Sequence, residues 1–295
     1  MKTVDINGCN LVFEENPSIH ISEYYNYCLK LIIKEIESFS KKININFSFN
    51  DFDFQNNLKT INIGLQYEHT LVKKNGRSLN HIFNSNTKSS DGENYLIRIE
   101  NYPTLSSKDL IIDYSLANIF HISTNKELSS YFKKCRHVPA LIYECNFNSN
   151  NRNEVIINFS SWSPRRSIIY SKIKENFNNL TNVTNCFTKD EILKQYSKTK
   201  VLINVHQTGE HHTLEELRVL PALSQGVIII SEDVPLKEQI PYHNHIIWSE
   251  YNDLEKTVKE VIDNYDFYYQ SIFNENLLDI FNEMKLKTKI LENYE

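Results

Sequence analysis

Seven ionisable side chains crowd the stretch from His206 to Arg218, which reads HQTGEHHTLEELR. On a helix, residues three or four apart share a face, so His212 would meet Glu215 or Glu216, and His211 would meet Glu215. The cluster has no HExxH spacing and no CxxC partner, so no metal site is expected from it. Thr213-Leu-Glu-Glu216 fits a capping box instead, with the threonine as N-cap. The helix it opens, Leu214–Gln225, follows a strand (VLINVH) and a polar loop. Its positive end, with the amides from Thr213 and Leu214 onward, suits phosphate. Glu215 and Arg218 are spaced as an exposed i,i+3 pair, and His206 ends the preceding strand. Pro221 falls inside the helix, where it deletes a hydrogen bond at a cost of roughly 3 kcal/mol. Gly226 closes the helix.

A second anion-favouring turn, Ser160–Arg166 (SSWSPRR), follows another strand and carries Arg165 and Arg166. Arginine forks match phosphate oxygens. Two such loops at strand ends in one half of the chain point to a diphosphate ligand. Its candidate contacts are Ser160, Arg165, Arg166, His206, His212, Thr213, Leu214, Glu215 and Arg218. In the other half, Glu68 and His69 follow the strand-like INIGLQ, and either suits a general base. Arg98 and Glu100 read as strand-edge charges.

These residues need a scaffold of strands whose ends converge. Before a polar break at Asn146–Asn153 (NFNSNNRN), Ser22–Phe39 has a helical stripe of Tyr25, Leu29, Ile32 and Ile36. Ile43–Phe49, Thr60–Gln66, Tyr95–Ile99 and Asn118–Ile122 read as strands, and Asn125 as the cap of a helix through Lys134. After the break, strands at Glu154–Phe159, Val201–Val205 and Val227–Ser231 alternate with helices. Thr188–Glu191 is a capping box, Asn252–Glu255 another cap, and the remainder is mostly helical. Alternation of this kind predicts an α/β fold with parallel sheets, here two Rossmann-like domains facing a cleft. Ligands in such sheets bind beyond the carboxyl ends of the strands. The expected division is 1–148, 152–265, and a helical tail, 266–295.

Of the 295 residues, 40% are hydrophobic, enough for a sizeable core. A net charge of −5 with only isolated basic pairs argues against nucleic acid as a partner. The five cysteines are scattered, which argues against a disulfide framework and for a reducing, cytoplasmic setting. No apolar run approaches the roughly 20 residues of a transmembrane span.

Arg218-Val-Leu-Pro-Ala-Leu-Ser-Gln-Gly226, followed by VIIISE, resembles the R-x-x-E-A-x-A-x-G-x-x-x-I-S segment of GT-B glycosyltransferases. VIINFSSWSPRRSIIYSKI looks like the first strand, loop and helix of the same nucleotide-sugar-binding domain. The resemblance covers about Glu154–Ile262. It implies transfer of a sugar from a UDP- or GDP-sugar to a glycan or glycoconjugate acceptor, without a cofactor or essential metal. It places the donor in the second domain and the acceptor in the first. Two positions depart from the pattern. Pro221 stands where the family's ribose-holding glutamate would be, leaving Glu215, Glu216 or Glu232 to replace it. Ser160-Ser161 stand where glycine is common. A nucleotide-sugar epimerase or hydrolase, or a non-catalytic nucleotide-sugar-binding module, fits the same pattern.

Overall fold

The apolar runs NINF, LIID, TKVLIN and IIISE are buried along nearly their whole length, as strands covered on both faces must be. In a computed structural model, which describes residues 1–74, 81–89, 92–157 and 163–294, they form the centres of two parallel sheets.

The first half supplies β1 (Lys2–Ile6), β2 (Cys9–Phe13), β3 (Asn44–Phe47), β4 (Thr60–Gln66), β5 (Leu71–Val72), β6 (Ile82–Lys88), β7 (Asn94–Arg98), β8 (Leu110–Asp113) and β9 (Cys135–His137). The main sheet has the order β1-β2-β3-β4-β8-β9. Only its first pair, β1 with β2, is antiparallel. β5, β6 and β7 form a small antiparallel sheet inserted between β4 and β8. The second half supplies β10 (Glu154–Ile157), β11 (Leu180–Asn182), β12 (Thr199–Asn204), β13 (Ile228–Glu232) and β14 (Ile247–Ser249). These form an all-parallel sheet in the order β11-β10-β12-β13-β14. The expected α/β class, with two Rossmann-like sheets, is what folds.

The first core is closed by the helix Ser22–Ile36, which buries the expected stripe of Tyr25, Leu29, Ile32 and Ile36. The second is closed by Glu216–Ser224 and by the helices that end the chain. Tyr265, Tyr269, Leu277 and Phe281 belong to this second core, so residues 265–287 are part of it. Beyond them, Ile290 and Leu291 enter the first core, and their amides donate to the Glu35 carboxylate at 2.9 and 2.6 Å.

The polar break is tied down. The buried Arg152 guanidinium donates to the carbonyls of Asn148, Tyr196, Thr199 and Gln225 at 2.6–2.9 Å. Gly226 beside it has φ +72°, and a Cβ there would lie 2.7 Å from Tyr269 Oη and 2.8 Å from the Asn146 carbonyl. Both the left-handed backbone and the lack of space require glycine.

Three sequence expectations are corrected. Asn118–Ile122 lies in a helix, Leu116–Ser123, capped by Ser115. Asn118, His121 and Ile122 bury at i, i+3, i+4 spacing, the period of a helix and not of a strand. The helix expected at Leu214 starts at Glu216, with Glu215 as N-cap and no capping box. Thr213 turns its hydroxyl to the Leu71 amide (3.4 Å) and Glu216 bonds Tyr242, so neither is left to cap. Leu254–Asp263 has Asp253 as N-cap without a side-chain cap bond. The box at Thr188–Glu191 forms as expected. Among the described residues, no helix is long and apolar enough to cross a membrane.

Candidate functional site

The carboxyl ends of both sheets meet. The edge strand β5, just after β4, lies against the loop after β12. His212 N donates to the Leu71 carbonyl (3.3 Å), Lys73 N to the Glu210 carbonyl (2.9 Å), and Val72 bridges His211. Parallel strands end in amides and carbonyls with no partner strand to use them, so the segment after each strand is where polar groups converge. Here two such ends supply one polar patch.

Its centre is a buried lattice of arginines and carboxylates. Arg165 grips Glu232, at the end of β13, with both nitrogens of its fork, and stacks on the Tyr251 ring at 3.8 Å. Arg166 is buried; it donates to the Val205 carbonyl at 2.9 and 2.7 Å and pairs with Glu215. Glu215 also pairs with Arg218, so one carboxylate serves two guanidinium groups. The pair read as exposed is therefore mostly buried, with Glu215 at 9% exposure. Burial, then the neighbouring arginine charge, lowers Arg166 to about 10 and Arg218 to about 9, so both remain cationic at neutral pH. The expectation of Arg166 as a phosphate clamp does not fit this placement, since its fork is turned to Val205 and Glu215 inside the domain.

The histidines form a second layer. His212 Nε2 faces the Gly209 carbonyl at 2.6 Å and so carries the proton; Nδ1, 2.5 Å from the Tyr95 hydroxyl, accepts. His211 Nε2 accepts from Arg98 (3.4 Å), and Nδ1 lies 2.8 Å from the Thr208 hydroxyl. His206 stacks on His212 with ring centres 5.4 Å apart. It is 2% exposed, and neither ring nitrogen has a hydrogen-bond partner among the described residues. Burial, then its neighbours His212, Arg165 and Arg166, which disfavour a second charge there, drives it well below the ordinary imidazole value. None of these histidines lies on a helix, and no group of three or more His, Cys, Asp or Glu among the described residues is arranged to hold a metal ion.

Glu68 and His69 stand at the end of β4. Glu68 pairs with Arg98 at 3.3 Å, and burial, then repulsion from Glu100, raises its carboxyl above the ordinary range. His69 Nδ1 is 3.5 Å from the Tyr114 hydroxyl, and burial, then the proximity of His211 and of the Arg218 charge, lowers it to about 3. Glu68 is accordingly the stronger base of the two. Arg98, read as a strand-edge charge, is 7% exposed and joins Glu68, Glu100 and His211 across the two domains. Its position in β7 gave no sign of this, because the pairing depends on β5 and β7 reaching over to the other sheet.

Beside this patch a cleft of about 590 Å³ opens between the domains. Its second-domain wall includes Thr184, Cys186 and Phe187 after β11, together with Leu217, Arg218 and Pro221 from the helix Glu216–Ser224. His20, Glu23 and Tyr143 come from the first half. Of the expected contacts among the described residues, Arg218 alone lines this cleft. Arg165, Arg166, His206, His212, Thr213 and Glu215 form the lattice next to it, Leu214 is core at 1% exposure, and Ser160 lies outside the described residues. The cleft residues Glu23, His20, Phe187 and Tyr143 were missed, since neither a motif nor a spacing marks them.

No protein-family model matches the sequence. An uncharacterized protein of Acanthamoeba polyphaga mimivirus is 30% identical over 189 residues, which is 62% of this chain and 62% of that protein. Among solved structures, TarM overlaps 86% of this chain and 54% of its own, with 12% identity and a TM-score of 0.49. The pneumococcal O-GlcNAc transferase GtfA, in complex with UDP and GlcNAc, overlaps 88% and 59%, at 11% and 0.39. An alpha1,3-fucosyltransferase overlaps 96% and 92%, at 10% and 0.36. The chain thus spans less than two thirds of the mimivirus protein, of TarM and of GtfA.

Proposed function

We propose that this chain is a glycosyltransferase of the GT-B type, moving a sugar from a UDP- or GDP-sugar to a hydroxyl of a glycan or glycoconjugate. The observation that carries this is the cleft itself: two parallel sheets present their carboxyl ends to it, and Arg218 stands on its wall. That is where α/β sheets bind nucleotides.

In this reading the nucleoside diphosphate occupies the cleft, with its phosphates toward Arg218 and the start of the helix Glu216–Ser224. The acceptor oxygen bonds to the anomeric carbon as the bond from that carbon to the phosphate oxygen breaks. Arg218 and the helix amides take up the charge of the leaving diphosphate. If the transfer inverts, Glu68 receives the acceptor proton, its raised pKa matching that task. Arg165, Arg166 and Glu215 position Arg218 and the loop and need not touch the ligand.

Free nucleotide released from UDP- and GDP-sugars should be followed with and without candidate glycans. Glycan-dependent release is the expected result, and Glu68→Gln should cut turnover about 100-fold, within the range for a lost general base, at nearly unchanged donor affinity. Release independent of acceptor would mean a hydrolase, and conversion of the nucleotide-sugar to an isomer without release an epimerase. Binding with neither release nor isomerisation would mean the non-catalytic module that Pro221, at the ribose-glutamate position, also fits.

A further inference from the structure

Arg98 carries a charge into the seam between the two domains. It closes β7, is buried, and its amide donates to the Thr70 carbonyl at 2.9 Å, which ties it to the segment between β4 and β5. A buried guanidinium is costly unless it is paired, and the partners of this one are divided. Nη2 meets Glu100 at 2.5 Å and Glu68 Oε2 at 3.3 Å, while Nη1 donates to His211 Nε2 at 3.4 Å. Glu100 thus takes the closer pairing and Glu68 the looser one. The Glu68 side chain is 36% exposed and is held through Oε2, so its other oxygen is open to a ligand. His211 belongs to the loop after β12, where it bonds Thr208 and bridges Val72. That loop leads into the helix Glu216–Ser224, where the phosphates stand in the reading above. One guanidinium therefore touches both the candidate base of the first domain and the loop that leads to the donor in the second.

Resting on the reading of Glu68 as the general base, we propose that Arg98 is its positioning residue: it fixes the Glu68 carboxylate relative to the donor loop, and Glu100 shares the arginine so that Glu68 is oriented without being locked in an ion pair. Glu100 opposes the ionised form of Glu68 and Arg98 favours it. The adjacent His69 and the nearby phenols of Tyr67 and Tyr114 are uncharged at neutral pH, because burial disfavours each ion, and His211 accepts from Arg98. Arg98 and Glu100 are therefore the charges that decide when Glu68 can take a proton.

The test is a pH titration of the full chain with carbon-13 at its glutamate carboxyls, for wild type, Arg98→Met, Arg98→Lys and Glu100→Gln. The Glu68 signal is assigned by its loss in Glu68→Gln. Beside it runs the pH profile of glycan-dependent nucleotide release from UDP- and GDP-sugars. Arg98→Met should move the Glu68 midpoint and the acid limb of turnover to higher pH, and Glu100→Gln should move both to lower pH. Neighbouring residues that merely support the fold would not give opposite shifts. At its plateau Arg98→Met should turn over roughly 10- to 100-fold more slowly, the scale of a misplaced catalytic group, at nearly unchanged donor affinity. Arg98→Lys should restore the midpoint, because the charge returns, and only part of the turnover, because an ammonium lacks the fork that spans Glu68 and His211. Glu100 is an exposed side chain, so Glu100→Gln decides the matter even if Arg98→Met does not fold. A Glu68 midpoint unmoved in Glu100→Gln, or a plateau turnover of Arg98→Met equal to wild type, overturns the role of Arg98 and leaves the base standing. Full turnover by Glu68→Gln overturns the base itself and this inference with it.

Discussion

Glu215→Ala should cost roughly 3–5 kcal/mol of folding stability, as expected when one partner of a buried ion pair is removed. Glu215 is the carboxylate that Arg166 and Arg218 share, and Arg166 is 2% exposed. Without it, the Arg166 guanidinium keeps its Val205 carbonyl and the nearby charge of Glu232, and loses its buried ion pair with Glu215. Glu215→Gln should cost less, because the amide oxygen still accepts a hydrogen bond. Denaturant unfolding of Glu215→Ala, Arg166→Leu and the double variant makes the check. The double variant should be more stable than Glu215→Ala alone, because only Arg218, whose side chain is partly exposed, is then left without the shared carboxylate. A cost under 1 kcal/mol for Glu215→Ala would show that the lattice is solvated, and would return Arg166 to consideration as a ligand contact.

Stability should peak near pH 6.5 and fall on both sides. Asp113, buried at the end of β8, accepts from Ser115 N at 2.9 Å and from Asn118 at 3.3 Å, yet one of its oxygens has no hydrogen-bond partner among the described residues. Burial raises it to about 8, and burial raises Glu216, bonded to Tyr242, to about 7. Both acids hold protons in the folded state that the unfolded chain has released, so stability declines as pH rises from their unfolded values to their folded ones. The imidazoles of His69 and His121, lowered to about 3, and of His137, lowered to about 4, act in the opposite sense. So does His206, which burial holds well below the ordinary imidazole value. Unfolding lets these four bind protons below about pH 6.5, so stability is lost as pH falls through that value. Below pH 6.5 the four histidines outweigh the two acids. Above it only the acids still titrate, and the decline to pH 8 should amount to about 2 kcal/mol. Asp113→Asn should flatten the alkaline limb and leave the acid limb in place. A wild-type Tm constant from pH 6.5 to 8.5 would contradict the buried, protonated state of these carboxyls.

The parallel cores were legible because strands covered on both faces must be apolar throughout, and VLIN and VIIIS announce themselves. Thr60–Gln66 and the capping box at Thr188 were read to the residue for similar local reasons. Asn118–Ile122 was misread because five residues are too few to separate the two periods, and the capping serine that decides the matter lies outside them. At the site, sequence proximity was a poor guide. Thr213 and Glu216 had the spacing of a cap, but partners 142 and 26 positions away took them. Arg165 and Arg166 had the chemistry of an anion clamp, but carboxylates at Glu232 and Glu215 meet them first. The cleft residues from the first domain had no local signature, because only the tertiary fold brings His20 against Phe187 and sets Glu23 on the wall of the same cleft.

The central claim is that a nucleoside diphosphate occupies the cleft between the two sheets. Cys186 offers the most direct test, since it lines the cleft, is only partly buried, and bonds no other described residue. Calorimetric titration of wild type and Cys186→Trp with UDP and GDP should give saturable one-to-one binding of at least one nucleotide to wild type. The indole fills the same space, so the variant should bind at least 10-fold more weakly while its unfolding transition stays in place. Nucleotide binding of equal affinity in the two proteins, or none to wild type, would contradict the placement of the donor in this cleft.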